Sequence, residues 1–279
     1  MNNNEQAHII HHYFKKLARY NQVIKEDLSE ESIHLFRVDV KKLRAFLRLL
    51  RFETGKADQF KFPRKFKKMY SLMGKIRDGQ LYTRRVNENG FSKENGAGDK
   101  AHIPEKDLKE IDYKDAFLSK KEFQEIEKKM TDHLPAVLPD KLIKDFFDQK
   151  LHVVNTAVTN GDYTDSKLHE IRKCLKDIIY IMRIFKGDLQ KPLPFSFWSE
   201  DQLEKVENLS HKLGLFNDCC IALSILPPSK IKFQLHQRRN LRVRQKWIDD
   251  KRMLKKEILE DLLTLHAELS VLERVPALH

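Results

Sequence analysis

The sequence predicts an all-α protein, and three observations carry that prediction. Glycine and proline are scarce, nine of each in 279 residues, so few positions interrupt regular structure. No run alternates apolar and polar residues between turn signals, as a half-buried strand would. Apolar residues instead recur at helical spacing through most of the chain. With 41% hydrophobic residues and 17 Phe, there is ample material for a core despite the high charge.

Periodicity predicts helices over 5–27, 30–52, 62–90, 113–133, 140–160, 165–187, 199–226 and 229–272. The breaks carry turn chemistry: FETGKAD (52–58), NENGFSKENGAGDK (87–100), HLPAVLPD (133–140), TNGDYTD (159–165), KGDLQKPLPF (186–195) and ILPPSK (225–230). The polar, glycine-containing stretch 87–112 reads as a mobile loop. Ser29 and Asp165 stand before two basic helices, where N-caps are expected.

Charge narrows the choice of partner. The chain has 53 Lys+Arg against 41 Asp+Glu, a formal net charge of +12. Such an excess points to nucleic acid, a phosphorylated molecule or an anionic membrane surface. The opening MNNNEQAHII lacks the charged region and apolar run of a signal peptide. Apolar runs such as IIYIM (178–182) are far too short to span a bilayer. Cys174, Cys219 and Cys220 are too few and too badly spaced for a disulfide framework or a zinc site. They are expected to pack as small hydrophobes. A soluble, cytoplasmic protein is the expectation.

The helix over 30–52 carries an unusual charge pattern, HLFRVDVKKLRAFLRLLR (34–51). His34, Arg37, Lys41, Arg44, Arg48 and Arg51 follow steps of three and four, so they cover an arc of about 100°. Apolar residues take most of the remainder. Asp39 and Lys42 lie within that apolar sector, three apart, where they can pair. A surface helix usually mixes both signs along one face. This stripe contains no acid.

The stripe then recurs. In LHEIRKCLKDIIYIMRIFK (168–186), His169, Arg172, Lys176, Arg183 and Lys186 match His34, Arg37, Lys41, Arg48 and Arg51 at an offset of 135. Arg44 alone loses its charge, facing Ile179. Downstream, MGKIRD (73–78) matches LGLFND (213–218) at an offset of 140, pairing Gly74 with Gly214 and Asp78 with Asp218. Two solvated faces would have no reason to share a register. The repeat divides the chain into halves at 5–137 and 138–272. Both glycines are expected to allow close helix approach, and both aspartates to orient or cap.

Taken together, these residues resemble the CHAD domain, the conserved histidine α-helical domain. Its hallmark H-x-x-R-V-x-x-K/R-K/R-x-R is matched by His34, Arg37, Val38, Lys41, Lys42 and Arg44. Its later L-G-x-x-R-D element is matched by Met73, Gly74, Arg77 and Asp78. In the second half Lys173, Asp177, Ile179 and Asn217 depart from the pattern. The resemblance, over roughly 5–272, implies two four-helix bundles related by a pseudo-twofold, with a basic channel. It also implies binding of inorganic polyphosphate, no catalytic activity and association with polyphosphate granules.

The chemistry of the stripe agrees with that implication. A linear polyanion needs a row of donors of matching pitch, and a helix stripe offers one about every 5 Å. Arginine grips phosphate bidentately, while lysine acts as a point charge. Further candidate anion contacts are His8, His12, Lys15 and Arg19, then Arg64, Lys68 and Lys75, then Arg238 and Arg242. A helical nucleic-acid-binding protein is the alternative, because phosphate contacts carry no sequence information. Against it, Phe36 and Phe46 fall on the apolar face rather than among the charges, where stacking rings belong.

Other motifs do not support catalysis. Glu31 and His34 have the spacing of a di-iron ligand pair, but their counterparts are Ser166 and His169. His8, His11 and His12 could bind metal, but they lack an obvious acidic partner. EIEKK (125–129) matches the E-x-E-x-K pattern of triphosphate tunnel enzymes, yet it lies in a helical segment rather than a strand. No P-loop, dinucleotide fingerprint or nucleophile elbow is present. No metal or cofactor is expected.

Overall fold

The computed structural model describes residues 1–55, 58–86, 116–194, 200–225 and 234–274. Its helices are α1 (Asn3–Glu26), α2 (Glu30–Thr54), α3 (Arg64–Val86), α4 (Lys120–Thr131), α5 (Asp140–Thr159), α6 (Asp165–Arg183), α7 (Glu200–Ile225) and α8 (Gln234–Arg274). A π-helical turn, Ile184–Asp188, continues α6. No strand occurs among the described residues, only an isolated bridge between Asn2 and Val137. The loop expected over 87–112 and most of ILPPSK lie outside the described residues.

Local chemistry sets the helix ends. Asn2 and Glu5 form a capping box at α1. Ser29 caps α2 as expected, accepting from the amide of Ser32. Gly55 ends α2 in the left-handed region at φ 63°. The helix expected from residue 113 has its regular span start at Lys120, because Ser119 and Glu122 form a second capping box there. Asp165 is not the N-cap of α6. Thr164 takes that place, its hydroxyl accepting from the Lys167 amide at 3.3 Å, and this leaves the Asp165 carboxylate free for other partners.

The chain forms two compact units. The first contains residues 1–143 and 180–192, the second 144–179 and 193–279. In the first, α1 packs on α2 and α4, and α2 packs on α3. Its core is an aromatic cluster: Phe62 and Phe66 stack at 4.1 Å, Phe123 stands edge-on to Phe66 at 6.2 Å, and Phe14 and Phe36 close the group. Met1 and Leu138 exchange backbone hydrogen bonds of 2.8 and 2.9 Å, tying the start of α1 to the segment before α5. In the second unit α7 and α8 form the main helix pair, around Trp247, Ile258, Leu213 and Phe216, all buried.

Each unit also buries one carboxylate against lysines. Asp39 takes Lys16 at 3.1 Å and Lys42 at 3.6 Å, so the expected Asp39–Lys42 pair forms and α1 adds a second cation. Asp177 takes Lys150 at 3.6 Å. A buried acid persists only with such partners.

Candidate anion-binding site

The first stripe runs along α2. Arg37, Lys41, Arg44, Arg48 and Arg51 are half-buried there, while His34 is exposed. What holds Arg37 and Arg44 is an aromatic ring that the stripe does not contain. Tyr70, on α3, lies with its ring 4.9 Å from the Arg37 guanidinium and 4.1 Å from that of Arg44. Phe62 approaches Arg44 more distantly, at 5.9 Å. Arg37 also donates from Nη1 to the Tyr70 carbonyl at 3.3 Å. Among the described residues neither arginine meets a carboxylate.

Gly74 lies one turn beyond Tyr70 on the same face of α3. A Cβ there would sit 2.6 Å from Arg37 Nη1. The close approach expected of this glycine is real, but a guanidinium passes over it rather than a helix backbone. Arg77, another turn on, pairs with Glu30 at 2.5 Å, and Arg84 pairs with the same Glu30 oxygen. Glu30 stands in the first turn of α2, where a carboxylate also suits the helix dipole.

Burial and surrounding cations act on the titrating groups. Partial desolvation by its neighbours lowers the pKa of His34 below the usual 6.5, and Arg77, Lys41 and Arg37 lower it further, with Glu30 opposing. Burial likewise lowers the pKa of Arg44, with Arg48 and Arg37 adding to it. An arginine so placed still carries its charge. Arg37 and Arg44 are therefore cationic groups with no carboxylate beside them among the described residues.

The second stripe is built differently. His169 is exposed, and its Nδ1 lies 2.9 Å from Asn217 Oδ1, a contact in which the imidazole donates. Burial lowers the pKa of His169, Lys173 and Arg172 adding and Asn217 opposing. Arg172 passes Gly214 at an ordinary 3.6 Å, and its Nε is buried without a hydrogen-bond partner among the described residues. Lys176 is half-buried, while Arg183 and Lys186 are exposed and belong to the first unit. Asp165 pairs with Lys251 at 2.5 Å and accepts from Cys220 Sγ at 3.7 Å. Cys220 thus has a polar partner, and Cys174 and Cys219 are buried thiols.

The remaining candidates scatter. His8 and His12 stack at 6.4 Å, while His12 lies beside Asp188 and His11 pairs with Glu127, so His11 and His12 face different carboxylates. Lys15 and Arg19 are exposed. Arg64, Lys68 and Lys75 line a groove of about 620 Å³ with Lys65 and Ser71. They lie about 130° round α3 from the face of Tyr70, Gly74 and Arg77. Arg242 is exposed, and the side chain of Arg238 lies outside the described set. Among the described residues no group of three His, Cys, Asp or Glu could hold a metal ion. No helix among them is long and apolar enough to cross a membrane.

Tyr70, Glu30 and Arg84 are absent from the motif-based set of candidates. Two signals pointed towards them: Tyr70 precedes Gly74 by one helical turn, and Glu30 opens the stripe helix. Neither distinguishes a functional residue without the pairing of α2 with α3.

Comparisons with known proteins bear on this arrangement. The sequence matches the CHAD domain family over residues 8–227. The fold is similar to that of the crystal structure of the CHAD domain from the plant Ricinus communis, with a TM-score of 0.63. That likeness covers 93% of this chain and 91% of the plant chain at 15% identity, so it speaks for the fold alone. No curated protein matches the sequence. With eight helices among the described residues and a family match over most of its length, the chain belongs to the CHAD domain family.

Proposed function

We propose that this protein binds inorganic polyphosphate along its His/Arg/Lys stripes and catalyses no reaction on it. The observation that carries the reading is the pair Arg37 and Arg44. Both are half-buried, neither has a carboxylate partner among the described residues, and both are held by a ring. Like charges kept together with so little compensation suit an anionic ligand. Family membership supports the same ligand class, and the basic channel that membership implies is part of this proposal. So are the two pseudo-symmetric halves and the cytoplasmic location.

Nucleic acid is the competing ligand. A single-strand binder offers open ring faces to bases, whereas the Tyr70 ring is already engaged by two guanidinium groups. The deciding experiment is a titration with inorganic polyphosphate in the presence of single-stranded DNA. Polyphosphate should bind and DNA should fail to displace it at equal phosphate concentration. Preferential binding of DNA would replace this reading, and phosphate release from polyphosphate by the purified protein would refute the non-catalytic half.

A further inference from the structure

We infer that Tyr70 is a positioning residue for the anion: it holds the guanidinium groups of Arg37 and Arg44 in place while leaving their charge available. The inference rests on the polyphosphate reading above and adds to it a residue outside both stripes.

The chain has another way to fix a cation, and uses it repeatedly. Lys16 and Lys42 are held by Asp39, Lys150 by Asp177, and Arg77 and Arg84 by Glu30. Each of those carboxylates offsets one unit of the positive charge it orients. An aromatic face attracts a cation through its quadrupole and carries no net charge. Arg37 and Arg44 are therefore restrained by Tyr70 at 4.9 and 4.1 Å with their positive charge uncompensated. The carbonyl of Tyr70 takes one Arg37 donor, at 3.3 Å, out of the five that a guanidinium offers.

Restraint matters because a long side chain loses rotamer freedom when it grips a ligand. A guanidinium already seated on a ring loses less. Gly74 completes the seat, since any side chain there would meet Arg37 Nη1. The position equivalent to Tyr70 in the second half carries no ring. Ser210 stands there, 140 residues after Tyr70, fully buried with its hydroxyl unpartnered among the described residues, and Ile179 stands 135 after Arg44.

The test compares polyphosphate affinity in the full-length protein and four variants: Tyr70→Leu, Tyr70→Phe, the pair Arg37→Gln with Arg44→Gln, and the triple variant that adds Tyr70→Leu. Tyr70→Leu should weaken binding about tenfold, the scale of two cation–ring contacts. Tyr70→Phe, which keeps the ring, should rescue it. In the background lacking both arginines, Tyr70→Leu should cost no further affinity, whereas a merely structural tyrosine would cost the same in either background. Undiminished affinity in Tyr70→Leu, or an equal loss with and without the arginines, overturns the inference. Wild-type protein without affinity for polyphosphate instead overturns the functional reading, and this inference with it.

Discussion

The two stripes carry matching charges 135 residues apart, and their surroundings differ at nearly every point of support. Arg37 presses on Tyr70 and crosses Gly74 so closely that a methyl group there would have to displace it. Arg172 crosses Gly214 at ordinary contact distance, with its Nε unpartnered among the described residues. Glu30 and Asp165 occupy equivalent places at the start of α2 and α6. The first holds Arg77 and Arg84 from α3, the second Lys251 from α8. Where Arg77 stands in the first half, Asn217 stands in the second and accepts from His169 instead. Register decides which charges line up. The neighbouring helix decides how firmly each is held.

The hardest test of this contrast is charge reversal. Arg37→Glu combined with Arg172→Glu removes two charge-assisted contacts, each on the order of 1.5–3 kcal/mol. Affinity for polyphosphate should fall at least about a hundredfold, since about 1.4 kcal/mol is tenfold. Arg37→Glu alone should account for more of the loss than Arg172→Glu, because it also disrupts the seat shared with Arg44. Isothermal titration measures affinity, and thermal unfolding checks that the variants fold. Equal single effects would erase the distinction between the halves.

Alanine at the two glycines probes the seat more gently. Gly→Ala within a helix contributes up to about 1 kcal/mol through propensity. Gly214→Ala should realise that gain, since its Cβ meets Arg172 only at ordinary contact distance. Gly74→Ala should gain less and lose about 1 kcal/mol of binding, on the scale of one cation–ring contact, as the new methyl displaces Arg37. Melting temperatures and polyphosphate titrations of both variants show whether the asymmetry holds.

The smallest effect concerns protons. Both histidines have pKa values below 6.5 in the folded protein, against about 6.5 in an unfolded chain. The unfolded chain thus takes up protons that the fold resists. Their contribution to stability is full above about pH 6.5 and declines as pH falls through the folded values. Bound polyanion acts in the opposite sense, favouring the charged imidazolium. Affinity should rise as pH drops from about 7.5 to 5.5. His34→Gln should remove more of that dependence than His169→Gln, because three cations rather than two surround His34. Affinity measured across pH in each variant would sharpen the comparison or dissolve it.

Much of this protein could be read from its sequence. Helical periodicity, scarce glycine and proline, and an acid-free stripe are local properties, set by residues a few positions apart. They gave the all-α class, the α2 charge pattern, the Ser29 cap and the pairing of Asp39 with Lys42. The family motifs are local as well, which is why two short stretches, on α2 and α3, sufficed to raise the resemblance.

What remained hidden depends on residues far apart in the chain. Tyr70 follows Arg37 by 33 positions, and nothing near it marks its ring as a seat for two guanidinium groups. Lys16 reaches Asp39 from another helix, and Thr164 rather than Asp165 caps α6, which leaves that aspartate to Lys251. The row of Arg64, Lys68 and Lys75 was equally legible as charge, but helix geometry turns it to a different face of α3 from Tyr70. Sequence determined the charges and their spacing, because helical pitch is intrinsic to the backbone. Tertiary packing alone decided which of those charges are held without a counter-ion, because that depends on the side chains a neighbouring helix presents.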